Sequence, residues 1–367
     1  LDTSPRISVA SWERRTPMLR CYQVAEFGKP LALTEKPLPE PRGREVLIKV
    51  ERCGVCHSDL HIWDGYFDLG NGRRIVAANN GALLPLTLGH EIVGTVAAAG
   101  SEASISTGAR RVVFPWIGCG TCPPCRDGME HLCAGAQKAI GIFADGGYAS
   151  HVLVPDERYL LDFGELEPSL ASTYACSGLT AYSALKKIGR LADHHELLIV
   201  GAGGVGLNAV ALAKVVTGQA PIVADLDPAK RAAAMQLGAK DAVDPRAEGA
   251  VKALLKATGG VMAAVDFAGS GASFEFAYGV LRKGGHLVSV GLLGGAVTLS
   301  LGLHVMKGLR ISGSYVGGLD EMRELLALAQ KTSLPSLPIT TRPLDQATDS
   351  LTALKAGQVV GRIVLQP

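Results

Sequence analysis

Aromatic side chains are scarce in this sequence, 5% of 367 residues, and neither sign of charge prevails: 36 Lys and Arg stand against 34 Asp and Glu, a net charge of +2. That balance excludes a strongly basic nucleic-acid binder and leaves no polybasic patch for a membrane surface. Cysteine is thin as well, eight in all. That is too few over this length for a disulfide scaffold, so the spacing of the eight has to say what they are. Leu1 to Pro17 lacks the roughly 7–15-residue apolar centre of a secretory signal. It reads as an irregular polar extension, or a remnant ahead of Met18, where regular patterning begins. No internal repeat or low-complexity tract is visible.

What the sequence has in quantity is small and apolar residues. Hydrophobic side chains make up 47%, mean hydropathy is +0.23, and glycine takes 45 positions, against a usual share of about 7%. There is ample material for buried cores, and the length exceeds one ordinary domain of about 100–200 residues, so two are expected. From Met18 to about Leu170 the pattern is mostly β. Within Glu45–Glu51, Val46, Ile48 and Val50 fall on one face at period two, as in a half-buried strand; His90–Ala98 and Arg111–Phe114 read the same way. From about Ala175, apolar runs at Leu197–Val200, Ile222–Ala224, Val261–Phe267, His286–Val290 and Leu309–Ser312 alternate with helical stretches. One of these is Pro228–Leu237, which Asp227 caps, Pro228 opens and Gly238 closes. Strands apolar on both faces, alternating with helices, imply a parallel sheet covered on both sides. The most membrane-like window, Leu197–Val216, carries Asn208, Lys214 and four glycines near its start, and reads as a buried strand followed by a helix rather than a span. The tail from about Leu344 returns to short β-like pieces. The expected parsing is an extension at residues 1–17, a β-rich domain at 18–170, an inserted α/β domain at 171–318 and a return to the first domain at 319–367.

Gly201-Ala202-Gly203-Gly204-Val205-Gly206 matches G-x-G-x-x-G between an apolar strand and an apolar-faced helix, the context in which this fingerprint binds a dinucleotide. Gly201 permits the tight turn, Gly203 lets the backbone approach a pyrophosphate, and Gly206 lets helix and strand pack closely. Free N–H groups at the helix start, around Gly204 and Val205, face the phosphates. Asp225 ends the next apolar strand, about 20 residues on, where a carboxylate holds both ribose hydroxyls and repels a 2′-phosphate. No Arg follows it directly; the next residues are Leu226, Asp227 and Pro228. NAD is therefore expected over NADP. Lys230, one turn into the following helix, is either a further ribose contact or a solvated surface lysine.

Cys119, Cys122, Cys125 and Cys133 make the spacing C-x2-C-x2-C-x7-C. Four thiolates so close can complete a tetrahedron around zinc, and a closed site with no open position is structural. An iron–sulfur cluster also uses C-x2-C steps, but the fourth spacing and the lack of Pro after Cys133 weigh against it. The other candidates are scattered: Cys56 in Cys53-Gly-Val-Cys56-His57-Ser58-Asp59, His90 in Gly89-His90-Glu91, and Cys176 in Ala175-Cys176-Ser177-Gly178. Spacing alone does not bring these together, and singly each is an ordinary core residue. Converged, two sulfurs and an imidazole make a catalytic zinc site with its fourth position free.

Taken together, these stretches resemble the zinc-containing alcohol dehydrogenases of the medium-chain dehydrogenase/reductase superfamily. The resemblance covers essentially Met18 to Pro367. It rests on GVCHSD at 54–59, GHE at 89–91, the four-cysteine lobe, ACSGLTAY around Cys176, GAGGVG at 201–206, Asp225 and GRIV at 361–364. It implies an α/β architecture: a GroES-like β-rich catalytic domain carrying two zincs, a Rossmann domain with a doubly wound parallel sheet, and the cofactor in the cleft between them. It implies further that Cys56, His90 and Cys176 hold a catalytic zinc, with Glu91 a nearby or alternative ligand, and that Asp59 orients the liganded histidine. By the same resemblance Ser58 contacts the substrate oxygen and His61 ends a proton relay that some members have. His57 and Arg362 fall where members place basic residues near the cofactor pyrophosphate. The implied activity is reversible hydride transfer between a primary or secondary alcohol and NAD, with zinc as Lewis acid. A carbonyl reductase or polyol-type dehydrogenase is the alternative within the superfamily.

The sequence also departs from the pattern. Cys56 and His90 are 34 residues apart, more than in most relatives. The extra stretch, about Tyr66 to Leu84, is rich in Gly and Asn and reads as an extended loop, either at the substrate mouth or as a plain surface insertion. Pro115-Trp116 resembles substrate-lining positions of tetrameric bacterial and yeast enzymes, and Trp63 is a second lining candidate; a core tryptophan is the alternative for both. Cys21 and Cys53 read as buried free thiols. A zinc-free quinone or enone reductase is a rival that the full ligand set argues against. A zinc module on nucleic acid is another, opposed by the absence of a basic stripe. The expected partners are a small alcohol or carbonyl compound and further copies of the chain, a tetramer ahead of a dimer. No nucleic acid and no membrane are expected, and the expected location is the cytoplasm.

Overall fold

The computed structural model describes residues 17–367, so the expected extension at 1–17 lies, apart from Pro17, outside the described residues. Two sheet systems organise the rest. In the first, Val46–Gly54 pairs antiparallel with both Glu91–Ala99 and His151–Val154, and Arg110–Val113 joins Glu91–Ala99 to Leu160–Leu161. Val46, Ile48 and Val50 are buried as their alternation requires, but Leu47 is buried too, so this strand is covered on both faces where it begins. The C-terminal strands finish the sheet: Arg362–Gln366 pairs antiparallel with Cys53 and Gly54 and parallel with Ile339–Pro343. The end of the chain is thereby laid beside the segment that runs into Cys56. A smaller sheet holds Met18–Val24 between Ala32–Pro37 and Leu86–Thr87.

The second system is six parallel strands. Their spatial order is Asp241–Val243, Ile222–Ala224, Leu197–Val200, Val261–Asp266, Leu281–Ser289 and Arg310–Gly313. In chain order this is 3-2-1-4-5-6, the doubly wound dinucleotide-binding arrangement, whose crevice opens at the carboxyl ends where the order reverses. Five of the six show as apolar runs in the sequence. Asp241–Val243 does not, because it is three residues long and begins on an aspartate. Leu281–Ser289 starts earlier than its apolar run, since Leu281 pairs with Val261 and the ladder then skips to His286 opposite Ala263. The helix Pro228–Gln236 begins as expected, with Asp227 accepting from the Ala229 N–H at 2.8 Å. Helix Leu319–Lys331 rests on helix Leu179–Ile188, and the chain re-enters the mixed sheet only at Ile339, later than the expected return at 319.

The stretch expected as an extended loop is folded. Tyr66–Asp68 and Arg74–Val76 form an antiparallel hairpin, and a 3-10 turn follows at Ala78–Asn80. Asp68 accepts from the Gly70 N–H at 2.7 Å, and Asn71 takes a φ of 51°. The Gly and Asn content thus makes the tight turn instead of preventing order, since both residues tolerate the left-handed region. Among the described residues no helix is long and apolar enough to cross a membrane.

Candidate active site

Three distant segments converge between the two sheet systems. Cys56 is the N-terminal cap of helix His57–Asp64, His90 precedes strand Glu91–Ala99, and Cys176 sits in a π-helical turn at Tyr174–Gly178, a local form that recurs at functional sites. All three are buried, with ligand atoms within 4.8 Å of one another. The two sulfurs are 3.9 Å apart, and tetrahedral zinc with Zn–S bonds near 2.3 Å requires about 3.8 Å. Asp59 arranges this centre. Fully buried, it places Oδ1 3.2 Å from His90 Nδ1 and accepts there from the Gly89 N–H. Its Oδ2 accepts from the Cys56 N–H at 2.9 Å and the Tyr148 hydroxyl at 3.1 Å. One carboxylate therefore fixes both ligand-bearing segments. Neither ring nitrogen of His90 makes a hydrogen bond of good geometry in the protein; with Nδ1 beside the Asp59 carboxylate, a proton held there leaves the Nε2 lone pair free for a metal. The hydrogen bond with Cys176 holds the Cys56 thiol well below its ordinary range and pushes Cys176 up; a divalent cation between them takes the place of that shared proton. The donors fit zinc, with the fourth position open. Asp59→Asn keeps the volume and removes the charge. Zinc affinity at this centre is expected to fall about 10–100-fold, as read by competition with a chromophoric chelator.

Glu91, expected as a nearby or alternative ligand, stands next to His90 and outside the group of three. Its carboxylate is ion-paired with Arg362 and accepts from the Ser177 N–H at 3.1 Å, so both oxygens are engaged. Burial pushes this carboxyl up to about 7 against the pull of Arg362. Arg362 is itself buried, yet its Nε has no hydrogen-bond partner in the protein, a donor left over in the cleft wall.

A cleft of about 240 Å³ lies in front of these groups. On the catalytic side Cys56, His57, Ser58, His61, Trp116 and Cys176 line it; opposite stand Gly201, Gly203, Gly204, Val205, Gly206, Asp225 and Lys230. A Cβ at Gly206 would lie 1.8 Å from the Gly201 carbonyl oxygen, whereas one at Gly203 would meet nothing within 4 Å. The first glycine is needed for close packing, and the second leaves a cradle where a pyrophosphate can approach. Asp225 accepts from the Ala202 N–H at 2.6 Å and the Asp227 N–H at 2.9 Å. Arg231 is committed elsewhere, donating to the Asp225 carbonyl at 2.7 Å and lying 3.7 Å from Asp244.

The two tryptophans part company. Trp116 donates to the Ala175 carbonyl at 3.0 Å and sets its ring 5.4 Å from His90, beside the metal centre. Trp63 does not line the cleft: it donates to the Lys29 carbonyl at 2.6 Å and lies under Lys355. The reason is helical phase. Ser58 and His61, three apart, share the cleft face, and Trp63 falls on another. Sequence reasoning missed Phe267, Val290 and Ser314–Val316, all in the cleft wall. The available signal was position, since each immediately follows a parallel strand, at the sheet edge where ligands bind.

The second metal centre is the lobe of Cys119, Cys122, Cys125 and Cys133. Cys122 caps the short helix Pro123–Arg126, and sulfur separations of 3.4–4.0 Å bring the four around one point. Backbone N–H groups of Cys119 and Gly135 donate to Cys133 Sγ, favouring thiolate. Thr121 leads the groups that hold Cys119 down to about 5, while burial pushes Cys125 up to about 12. Glu130 ties the lobe down, accepting from the Gly118 N–H and the Tyr159 hydroxyl and pairing with Arg158. Cys21 and Cys53 are free and fully buried.

Known proteins agree with this geometry. The alcohol dehydrogenase GroES-like domain matches residues 42–163 and the zinc-binding dehydrogenase domain matches 204–331. The chain is 36% identical over 353 residues to an NAD-dependent alcohol dehydrogenase of Sulfurisphaera tokodaii, covering 95% of this chain and 100% of that one. It is 35% identical over 358 residues to an alcohol dehydrogenase of Geobacillus stearothermophilus, covering 95% and 99%. The crystal structure of the Aeropyrum pernix alcohol dehydrogenase superposes with a TM-score of 0.85 at 31% identity, covering 95% of this chain and all of that one. The chain belongs to the zinc-containing alcohol dehydrogenases of the medium-chain dehydrogenase/reductase superfamily.

Proposed function

We propose that the protein oxidises primary or secondary alcohols reversibly with NAD. The observation that carries this reading is one cleft bounded by an open Cys56–His90–Cys176 centre on one side and the glycine loop with Asp225 on the other. Zinc at that centre supplies Lewis-acid polarisation of the substrate oxygen, and NAD in the loop supplies the hydride acceptor. The chain's own residues do the rest. Asp59 fixes the ligands. Ser58 stands on the helix that Cys56 caps, and its hydroxyl would receive the substrate proton while handing its own on, by way of a cofactor ribose hydroxyl, to His61. His61 shares that face, where burial lowers its pKa, and would release the proton to solvent. His57 and Arg362 face the cofactor phosphates, Lys230 the ribose, and Trp116 walls the substrate.

The same reading places the division between catalytic and cofactor domains near residues 170 and 318, supported by the six parallel strands, which all fall between Leu197 and Gly313. It places the enzyme in the cytoplasm, supported by eight cysteines none of which is in a disulfide, a use of cysteine suited to a reducing compartment. It also makes the protein a homo-oligomer, a tetramer ahead of a dimer. In support, Arg310–Gly313 is an edge strand, and helix Leu301–Lys307, which leads into it, has Leu301, Val305 and Met306 72–78% exposed, an apolar surface of the kind that marks interfaces. Light scattering reads the copy number. The activity is tested by following NAD reduction with ethanol, 2-propanol and benzyl alcohol alongside zinc analysis. The expected result is turnover with two zincs per chain, one for each ligand group, and inactivation by a chelator that zinc reverses. No NAD-linked oxidation of any alcohol, with both zincs present, refutes it.

A further inference from the structure

Resting on that reading, we propose that the enzyme's preferred substrates carry an aromatic or comparably bulky apolar group, seated in a second chamber to which the insertion between Cys56 and His90 contributes one wall. The chamber is about 210 Å³, walled by Ile62, Phe67, Ala77, Ile142, Phe143 and Tyr315, with Gln137 as a polar member. A dry apolar cavity of about 150 Å³ already accepts benzene, so this volume holds a phenyl ring with a short linker. Two contacts join it to the catalytic cleft. Tyr315 lines both spaces, with its ring 6.0 Å from that of Trp116 and 44% of the residue exposed. His61, in the cleft, sets its ring 4.7 Å from that of Phe67, in the chamber. A substrate whose oxygen reaches the Cys56–His90–Cys176 centre thus finds an aromatic partition beside it and apolar space beyond.

The insertion supplies Phe67 from its hairpin and Ala77 from the turn after it, and it is held in place. Ala77 donates its N–H to the Gly65 carbonyl at 2.9 Å. The hairpin turn meets the cofactor side so closely that a Cβ on Gly70 would lie 2.3 Å from the carbonyl of Gly295. Leu292 and Leu293, just before that contact, line the catalytic cleft. The partition is fixed too: Val316, next to Tyr315, takes a φ of 46°, a region a β-branched residue occupies only when its surroundings impose it. The insertion's side of the chamber is therefore held in place and not a slack loop, and Tyr315, Phe67 and Ala77, with the Tyr315 ring at the junction of the two spaces, are its specificity-determining residues.

The test compares 1-phenylethanol with 2-propanol, secondary alcohols that differ in the group the chamber would hold. In the wild-type enzyme kcat/KM is expected to favour the aryl alcohol by about tenfold or more. Ala77→Phe, which fills the chamber, should reduce that ratio by a similar factor, and Ala77→Val should reduce it less. Toluene, which has no oxygen to offer a metal, provides a readout independent of turnover. Calorimetry should show it binding the wild-type protein and not Ala77→Phe. A wild-type ratio near one, or toluene that does not bind, overturns the chamber while leaving alcohol oxidation intact. If no alcohol is oxidised, the functional reading fails instead, and the toluene measurement still decides the chamber.

Discussion

Cys176→Ala will leave one zinc per chain and reduce alcohol oxidation at least about a thousandfold. The centre has three protein ligands, the minimum for a catalytic site with an open position, and this substitution removes one of its two sulfurs. Lewis-acid activation accounts for several kcal/mol of barrier, and each 1.36 kcal/mol is a factor of ten. The fold will survive. Alanine suits a buried helical turn, and that turn keeps its other anchors: Ser177 donates its N–H to Glu91 and its hydroxyl to the Thr173 carbonyl, and Asn208 donates to the Ser177 hydroxyl. The four-cysteine lobe lies on a separate segment at 119–133 and will keep its metal. Metal analysis of the purified variant, beside circular dichroism and an NAD-linked assay, checks all three points. Two zincs with undiminished turnover would sink the assignment of Cys176 as a ligand.

That centre also marks how far the sequence could be read. Cys119 to Cys133 announce a metal because four thiols occur within one short segment, and local geometry nearly suffices to close the site. Cys56, His90 and Cys176 sit on a helix cap, a strand start and a π-helical turn, and only the packing of the mixed sheet against the helices brings them within 4.8 Å. No periodicity encodes that distance; the resemblance to a family did. The six-stranded sheet was legible because parallel strands buried on both faces appear as continuous apolar runs. Its one hidden strand, Asp241–Val243, lies at the edge of the sheet, where burial asks less of it. Glu91 was legible as a carboxylate near the metal but not as the partner of Arg362, since their pairing depends on Arg362–Gln366 returning beside Cys53 and Gly54. Trp63 failed for a simpler reason: a lining residue must share the helical phase of Ser58 and His61.

Asp225→Asn will reduce the preference for NAD over NADP by about a hundredfold to a thousandfold. The wild-type carboxylate stands at the end of Ile222–Ala224, in a cleft wall that Lys230 shares, where on the proposed reading it would face the adenosine ribose. A 2′-phosphate carries roughly −1.5 to −2 charges at neutral pH. At about 4 Å, two unit charges of like sign repel by about 4 kcal/mol near a protein surface, enough alone for a factor near a thousand. Asparagine removes that repulsion at nearly the same volume. It also loses one backbone contact, because Asp225 accepts from Ala202 through one oxygen and from Asp227 through the other, and an amide has a single acceptor oxygen. That loss, about 1 kcal/mol, weakens the loop equally for both cofactors and cancels in the ratio. NADP will improve without overtaking the wild-type efficiency with NAD, because Arg231 stays bound to the Asp225 carbonyl and Asp244 and no new cation arrives to hold the phosphate. Steady-state kcat/KM with each cofactor at saturating alcohol measures the ratio directly. A variant with unchanged discrimination would move the origin of NAD preference away from Asp225.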